Sequence, residues 1–176
     1  MVYPPGEDSI LLKKWLKKQR LGNKKVLDMG TGTGILAVTA AEKGAETIAA
    51  DKDPEAIKAA RQKAGEHGVQ EQIKFIQTDL FNSIEDSFDL IIFNPPYLPG
   101  RKIDEEDKTW RGGQKGVETT KEFLKHAENH LKPGGETVTI VSSLSEHEQL
   151  MENFELEIVE SEKLWFEQLY LVKLVF

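Results

Sequence analysis

Lys24-Lys25-Val26-Leu27-Asp28-Met29-Gly30-Thr31-Gly32-Thr33-Gly34 decides the fold. Its first six residues read as a short buried strand that runs directly into glycines at three alternate positions, and a helical pattern follows from Ile35 to Lys43. Strand, glycine turn and helix in that order open a βα unit, in which backbone N–H groups at the helix start can approach a ligand closely. The dinucleotide fingerprint G-x-G-x-x-G needs glycine at position 35, which is Ile35, and it does not require an acid two residues ahead of the first glycine. A pyrophosphate-cradling loop is therefore a poor match.

Outward from this unit the alternation continues. Glu46 to Asp51 reads as a second strand, and Pro54 starts a helix with Ala56, Ile57, Ala60 and Ala64 on one face. Ile73 to Gln77 is a third strand, and Phe88 to Phe93 is the most apolar and hence a central one. A helix face of Val117, Thr120, Leu124, Ala127 and Leu131 is closed by Pro133-Gly134-Gly135, a stop signal before a fifth strand around Thr137 to Val141. A short helix near Ser145 to Met151 comes next. Leu156 to Val159 and Leu169 to Val175 then read as paired strands with no helix between them. The expected fold is α/β: a doubly wound, mostly parallel seven-stranded sheet ending in an antiparallel C-terminal hairpin, with its ligand crevice at the carboxyl ends of the strands. Residues 1–176 are expected to form one domain, with 1–22 as an N-terminal helix segment. The loop 94–116 is too long for a simple connection and points to function.

Composition narrows the classes of function. No apolar stretch is long enough to cross a bilayer and the start lacks a signal-peptide pattern, so a cytoplasmic location is expected. The absence of cysteine excludes disulfides, thiolate zinc sites and cysteine nucleophiles, and no metal site is expected. A net charge of -7 disfavours adhesion to nucleic acid, whose affinity comes mostly from phosphate neutralisation. The basic run Lys13, Lys14, Lys17, Lys18, Arg20, Lys24 and Lys25, interleaved with Leu12, Trp15 and Leu16, reads as the solvated face of an amphipathic helix; a contact to RNA is the competing reading. His67, His126, His130 and His147 read as surface residues.

Three acids fall at successive strand ends. Asp28 precedes the glycines, Asp51 ends the second strand where a ribose diol is accepted in this topology, and Asp79 follows the third strand where a carboxylate can accept from an adenine amine, with Leu80 over the ring. Asp53, ahead of Pro54, reads as a helix N-cap. Asp28-x-Gly30-x-Gly32-x-Gly34 resembles the first motif of class I methyltransferases, whose cofactor is S-adenosylmethionine. By that resemblance the acid lies near the cofactor's ammonium group and the loop carries its methionine portion.

Asn94-Pro95-Pro96-Tyr97 is the most specific signal. Both Asn94 and Pro95 precede a proline, which stiffens the backbone in extended geometry, and the prolines lack N–H donors that would consume nearby carbonyls. A primary amide or arylamine NH2 needs two acceptors. The Asn94 side-chain oxygen and the Pro95 carbonyl are candidates, with the Tyr97 ring stacked on the planar group. Asn94, Pro95 and Tyr97 are thus the candidate catalytic residues, and Asn94 to Tyr97 with Pro96 the substrate-binding ones.

With these motifs the chain is similar to the HemK family of protein glutamine methyltransferases, in its short archaeal and eukaryotic branch. Val2-Tyr3-Pro4-Pro5-Gly6-Glu7-Asp8-Ser9 resembles that branch's N-terminal signature, and Trp110-Arg111-Gly112-Gly113-Gln114-Lys115-Gly116 its tryptophan-glycine segment. The resemblance implies methylation of the glutamine in the Gly-Gly-Gln motif of a class I translation termination factor. It also implies a small zinc-binding activator that covers an exposed apolar edge, and it places Ser9 and Tyr3 near the cofactor. Asp104 to Asp107 lie where the branch varies. Adenine N6-methylation uses the same four-residue loop, but the chain is acidic and short for a target-recognition domain. Lysine methylation and a non-catalytic, cofactor-binding regulator are the further alternatives.

Overall fold

Seven strands make one sheet in the order β3-β2-β1-β4-β5-β7-β6. The computed structural model describes residues 6–96 and 117–174. The strands are β1 (Lys25–Met29), β2 (Glu46–Asp51), β3 (Ile73–Gln77), β4 (Phe88–Phe93), β5 (Leu131–Ser142), β6 (Leu156–Lys163) and β7 (Gln168–Leu174). The helices are α1 (Glu7–Lys18), α2 (Ile35–Glu42), α3 (Pro54–Glu66), α4 (Glu118–Ala127) and α5 (His147–Asn153). β1 to β5 are mutually parallel, and β7 enters antiparallel between β5 and β6. The strand order reverses between β1 and β4, which opens a crevice at their carboxyl ends.

The pleat sorts side chains to two faces. Leu27, Met29, Ile91 and Phe93 join Phe123 and Leu124 of α4 and Leu150 of α5 in one core, whereas Val26, Leu90, Ile92, Val138 and Ile140 pack against Leu12, Trp15 and Leu16 of α1 and Leu36 of α2. The basic N-terminal segment is the expected amphipathic helix only as far as Lys18, with Arg20 and Lys24 beyond its end and Lys25 in β1: Leu11, Leu12, Trp15 and Leu16 face inward, while Lys14 and Lys18 pair with Glu162 and Glu160 of β6. None of the described helices is long and apolar enough to cross a membrane.

Three expectations about the elements need correction. Leu131 is not on the α4 face, which ends at Ala127, but opens β5, where pairing with Phe88 holds it extended. Pro133-Gly134-Gly135 does not precede β5 but lies within it: Phe88 pairs with Leu131 and Leu90 with Glu136, so the strand bulges outward between the two pairs. Gly134 turns at φ +76°, and a Cβ on Gly135 would sit 2.7 Å from the Phe88 carbonyl oxygen. β6 also runs beyond Val159 to Lys163, because it is an edge strand whose polar residues face water while its backbone pairs with β7.

Candidate active site

The site begins where β1 ends. Asp28 points to the α2 side of the sheet and is 1 % exposed. Its Oδ2 accepts from the Thr31 hydroxyl at 2.7 Å and from the Ala37 N–H at 2.9 Å, while Oδ1 is buried without a partner among the described residues. Burial dominates and pushes the Asp28 carboxyl up to about 7, against those two hydrogen bonds, with a smaller push from Asp51. Because that value lies above the ordinary one, Asp28 contributes stability that is full below the usual carboxylate range and is lost as pH rises through about 7. Asp86 and Asp89, at the opposite end of the sheet, are shifted the other way, held low first by hydrogen bonds from Lys25 and Lys132 respectively.

The glycine loop fits against its neighbours by lack of side chains. Gly34 caps α2 in the left-handed region at φ +80°, and a Cβ there would lie 2.7 Å from Ala60 Cα in α3. Gly32, at φ +53°, faces open space, its Cβ position meeting nothing nearer than the Gly30 carbonyl at 3.9 Å. The Gly32 N–H donates to Asp51 Oδ2 at 3.0 Å, and Asp51 Oδ1 accepts from the Asp53 N–H at 3.0 Å. Asp51 therefore ties the loop to β2 and keeps further lone pairs for a ligand. Asp53 is the N-cap expected, accepting from the Glu55 N–H at 2.9 Å ahead of Pro54.

Beyond β3 the buried Thr78 builds the next wall. Its N–H donates to the Asp51 carbonyl at 2.9 Å, and its hydroxyl donates to the Leu80 carbonyl at 3.2 Å and accepts from the Ser83 N–H at 3.1 Å. This holds Leu80 at φ +47°, an uncommon conformation for a branched side chain. Asp79 lies exposed beside it.

β4 delivers Asn94. Its Nδ2 donates to Asp8 Oδ2 and to Ser9 Oγ, both at 3.1 Å, while Oδ1 is buried and unpartnered among the described residues. The orientation follows from chemistry, because a carboxylate only accepts and the NH2 must face it. Asp8 is 3 % exposed and its other oxygen takes the Ser9 N–H at 2.6 Å. Pro95 is buried and Pro96 half-buried. The Phe93 ring meets the Cβ position of Gly30 at 3.0 Å, so the turn after β4 and the loop after β1 share one wall.

Asp28, the glycine loop, Asp51, Asp79, Leu80 and Asn94 thus line the carboxyl ends of β3, β2, β1 and β4 in turn. Tyr3, Tyr97, Asp104 to Asp107 and Trp110 to Gly116 fall outside the described residues. Sequence reasoning singled out Ser9 but missed Asp8. The signal was present: Asp8 lies on the stripe of Leu11, Leu12 and Trp15, where an acid has to be buried. His67 and His126 are exposed and paired with Glu42 and Glu122. His130 and His147 are half-buried instead, stacked on Phe81 at 4.5 Å and on Tyr170 at 5.2 Å, which corrects their reading as plain surface residues.

The family described as the methyltransferase small domain matches residues 7–165. A protein of Methanocaldococcus jannaschii named for N5-glutamine methyltransferase activity is 37 % identical over 97 % of this chain and 90 % of its own length. A ribosomal protein uL3 glutamine methyltransferase of Neisseria meningitidis is 32 % identical over 70 % of this chain, which spans only 44 % of that protein. Among solved structures, the Mtq2–Trm112 complex of E. cuniculi, responsible for methylation of the eRF1 translation termination factor, has a chain that superposes with a TM-score of 0.77 at 26 % identity, covering 98 % of this chain and 96 % of that one. With a glycine loop and an Asn-Pro-Pro turn converging on one crevice, and with kinship along nearly its whole length, the chain belongs to the HemK family of class I S-adenosylmethionine-dependent methyltransferases.

Proposed function

We propose that the protein methylates the side-chain amide nitrogen of a glutamine, in the Gly-Gly-Gln motif of a class I translation termination factor. The observation that carries this reading is Asn94: its NH2 is held by Asp8 and Ser9, which leaves a buried carbonyl oxygen with no partner among the described residues. An unpaired buried acceptor costs free energy until a donor arrives, and a glutamine NH2 is such a donor. The Pro95 carbonyl would take the second hydrogen, Pro96 would stiffen the turn, and Tyr97 would stack on the amide plane. Two acceptors orient the nitrogen and favour the positive charge that develops on it. Bound S-adenosylmethionine would supply an electrophilic methyl, and the amide nitrogen that takes it would give up its proton to water.

The cofactor fits the crevice on two observations. Asp28 Oδ1 is an acid oxygen without a partner among the described residues, suited to the ammonium of a methionine moiety, and the space before Gly32 would be filled by any side chain there. Gly30, Gly32 and Gly34 would carry that moiety, Asp51 the ribose, and Asp79 with Leu80 the adenine. An ammonium against Asp28 favours the carboxylate, so binding should expel the proton that Asp28 holds below about pH 7. Calorimetry at about pH 6, in buffers of different ionisation heat, is expected to read about one proton released per cofactor bound and none with Asp28→Asn. Binding by the unmodified protein without proton release would remove Asp28 from that role.

We further take residues 1–176 as one methyltransferase domain acting in the cytoplasm, assisted by a small activator that binds zinc. The two-protein E. cuniculi assembly supports an activator. The deciding assay offers radiolabelled cofactor to an intact termination factor, to ribosomal protein uL3 and to RNA and DNA, with and without the activator. Label on the termination factor alone, abolished by Gln→Asn in its motif, is the expected result. Label confined to uL3 would move the substrate, and label on adenine would replace the reading.

A further inference from the structure

We propose that the exposed tip of the β6–β7 hairpin, Trp165 and Phe166 with Leu144, is the surface on which the body of the protein substrate docks while its glutamine enters beside Asn94. This rests on the reading that the substrate is a protein. Trp165 is 101 % exposed, Phe166 81 % and Leu144 39 %. Two adjacent rings in water do nothing for the hairpin itself, which is closed by the Leu164 N–H donating to the Glu167 carbonyl at 2.8 Å and anchored by Leu164 on the α1 side of the core. Contiguous exposed apolar surface of this kind marks an interaction site.

Its place in the fold selects the occupant. Ser142, at the carboxyl end of β5, pairs with Leu169 of β7, and the Ser143 N–H donates to the Gln168 carbonyl at 2.9 Å, which fastens the tip to the loop after β5. β5 is the neighbour of β4, so the tip stands at the same end of the sheet as Asn94. α1 connects the two. Lys18 pairs with Glu160 and Lys14 with Glu162, so the helix, at about 1.5 Å per residue against about 3.3 Å for the strand, brings Ile10 level with Leu164. Ile10 is 42 % exposed and follows directly on Asp8 and Ser9, which hold Asn94. Exposed apolar side chains therefore stand both at the tip and beside the turn that grips the candidate catalytic residue. A glutamine side chain is short, so the protein carrying it must lie close to the mouth of the crevice, where these side chains are exposed. Glu162 is paired with Lys14, Glu167 accepts from the Ser142 hydroxyl and Lys163 lies beside the rings, so the surface the tip offers is that of the rings themselves, which suits an apolar protein face.

The test compares the full chain with its Trp165→Ala/Phe166→Ala double variant on an intact termination factor at saturating cofactor. The expected result is a KM for the termination factor raised roughly 10- to 30-fold, with kcat and cofactor affinity unchanged. A KM within about twofold of the parent, or a loss of kcat that saturating substrate does not restore, overturns the docking role. So does a concentration-dependent dimer of the parent that the double variant abolishes, since the tip would then serve a second copy of the chain. Should the parent label no protein at all, the functional reading fails first, visibly and without any variant, and this inference falls with it.

Discussion

Asn94→Ala is expected to lower the methylation rate by roughly 10²–10³-fold while leaving cofactor affinity nearly unchanged, the effect typical of losing one preorganised polar group at a reacting centre. The two readouts separate because Asn94 is held from the α1 side, by Asp8 and Ser9, and makes no bond to Asp28, Asp51 or the glycine loop. Asn94→Asp is a sharper variant. It keeps the shape and an acceptor oxygen but sets a second carboxylate against Asp8, so one of the two must take up a proton or turn away. We expect it to lose most of the rate as well, with a pH profile displaced toward acid, where a shared proton restores the contact. Steady-state turnover beside calorimetric cofactor binding checks both variants. Wild-type turnover in Asn94→Ala would make that residue a structural one.

Gly34→Ala is expected to destabilise the fold by about 2–5 kcal/mol, combining the left-handed backbone penalty with overpacking. Its Cβ would stand 2.7 Å from Ala60 Cα and 2.8 Å from Ala60 Cβ, in a helix whose N-terminal turn is fixed by Asp53 and Pro54, so α3 has to move as a body. Gly32→Ala is the matched control. It pays a similar backbone penalty, but its Cβ meets nothing within contact distance except the Gly30 carbonyl at 3.9 Å, so about 1–2 kcal/mol is expected, with a larger loss in cofactor affinity. Urea denaturation of both variants measures the difference. Equal losses at the two positions would contradict the close seating of α3 on the loop.

Much of this architecture is legible in the sequence because local chemistry sets it. Each of the five parallel strands has a short apolar stretch at its centre, the glycines stand where backbone must approach a ligand, and Asp51 and Asp79 fall at or just beyond strand ends by count alone. What stayed hidden depends on partners distant in sequence. The buried stripe of α1 marks Asp8, but not its partner, Asn94, which β4 brings to it from 86 positions away. Pro133-Gly134-Gly135 carries the residues of a helix stop, yet the pull of pairing with β4 on both sides absorbs it into β5 as a bulge. Glu160 to Lys163 shows no alternation of apolar residues, since an edge strand with water on its outer side does not need it. His130 and His147 are polar in isolation and acquire their half-burial from Phe81 and Tyr170, which no local pattern announces.

The central claim is that the acceptor oxygen of Asn94 directs methyl transfer to a glutamine amide nitrogen. Tandem mass spectrometry of an intact class I termination factor, after incubation with the protein, its cofactor and the activator, locates the methyl most directly. The account predicts a single methyl on the side-chain amide nitrogen of the Gly-Gly-Gln glutamine, present with the parent chain and reduced to background with Asn94→Ala. A methyl on lysine, or on that glutamine equally with parent and variant, would contradict it.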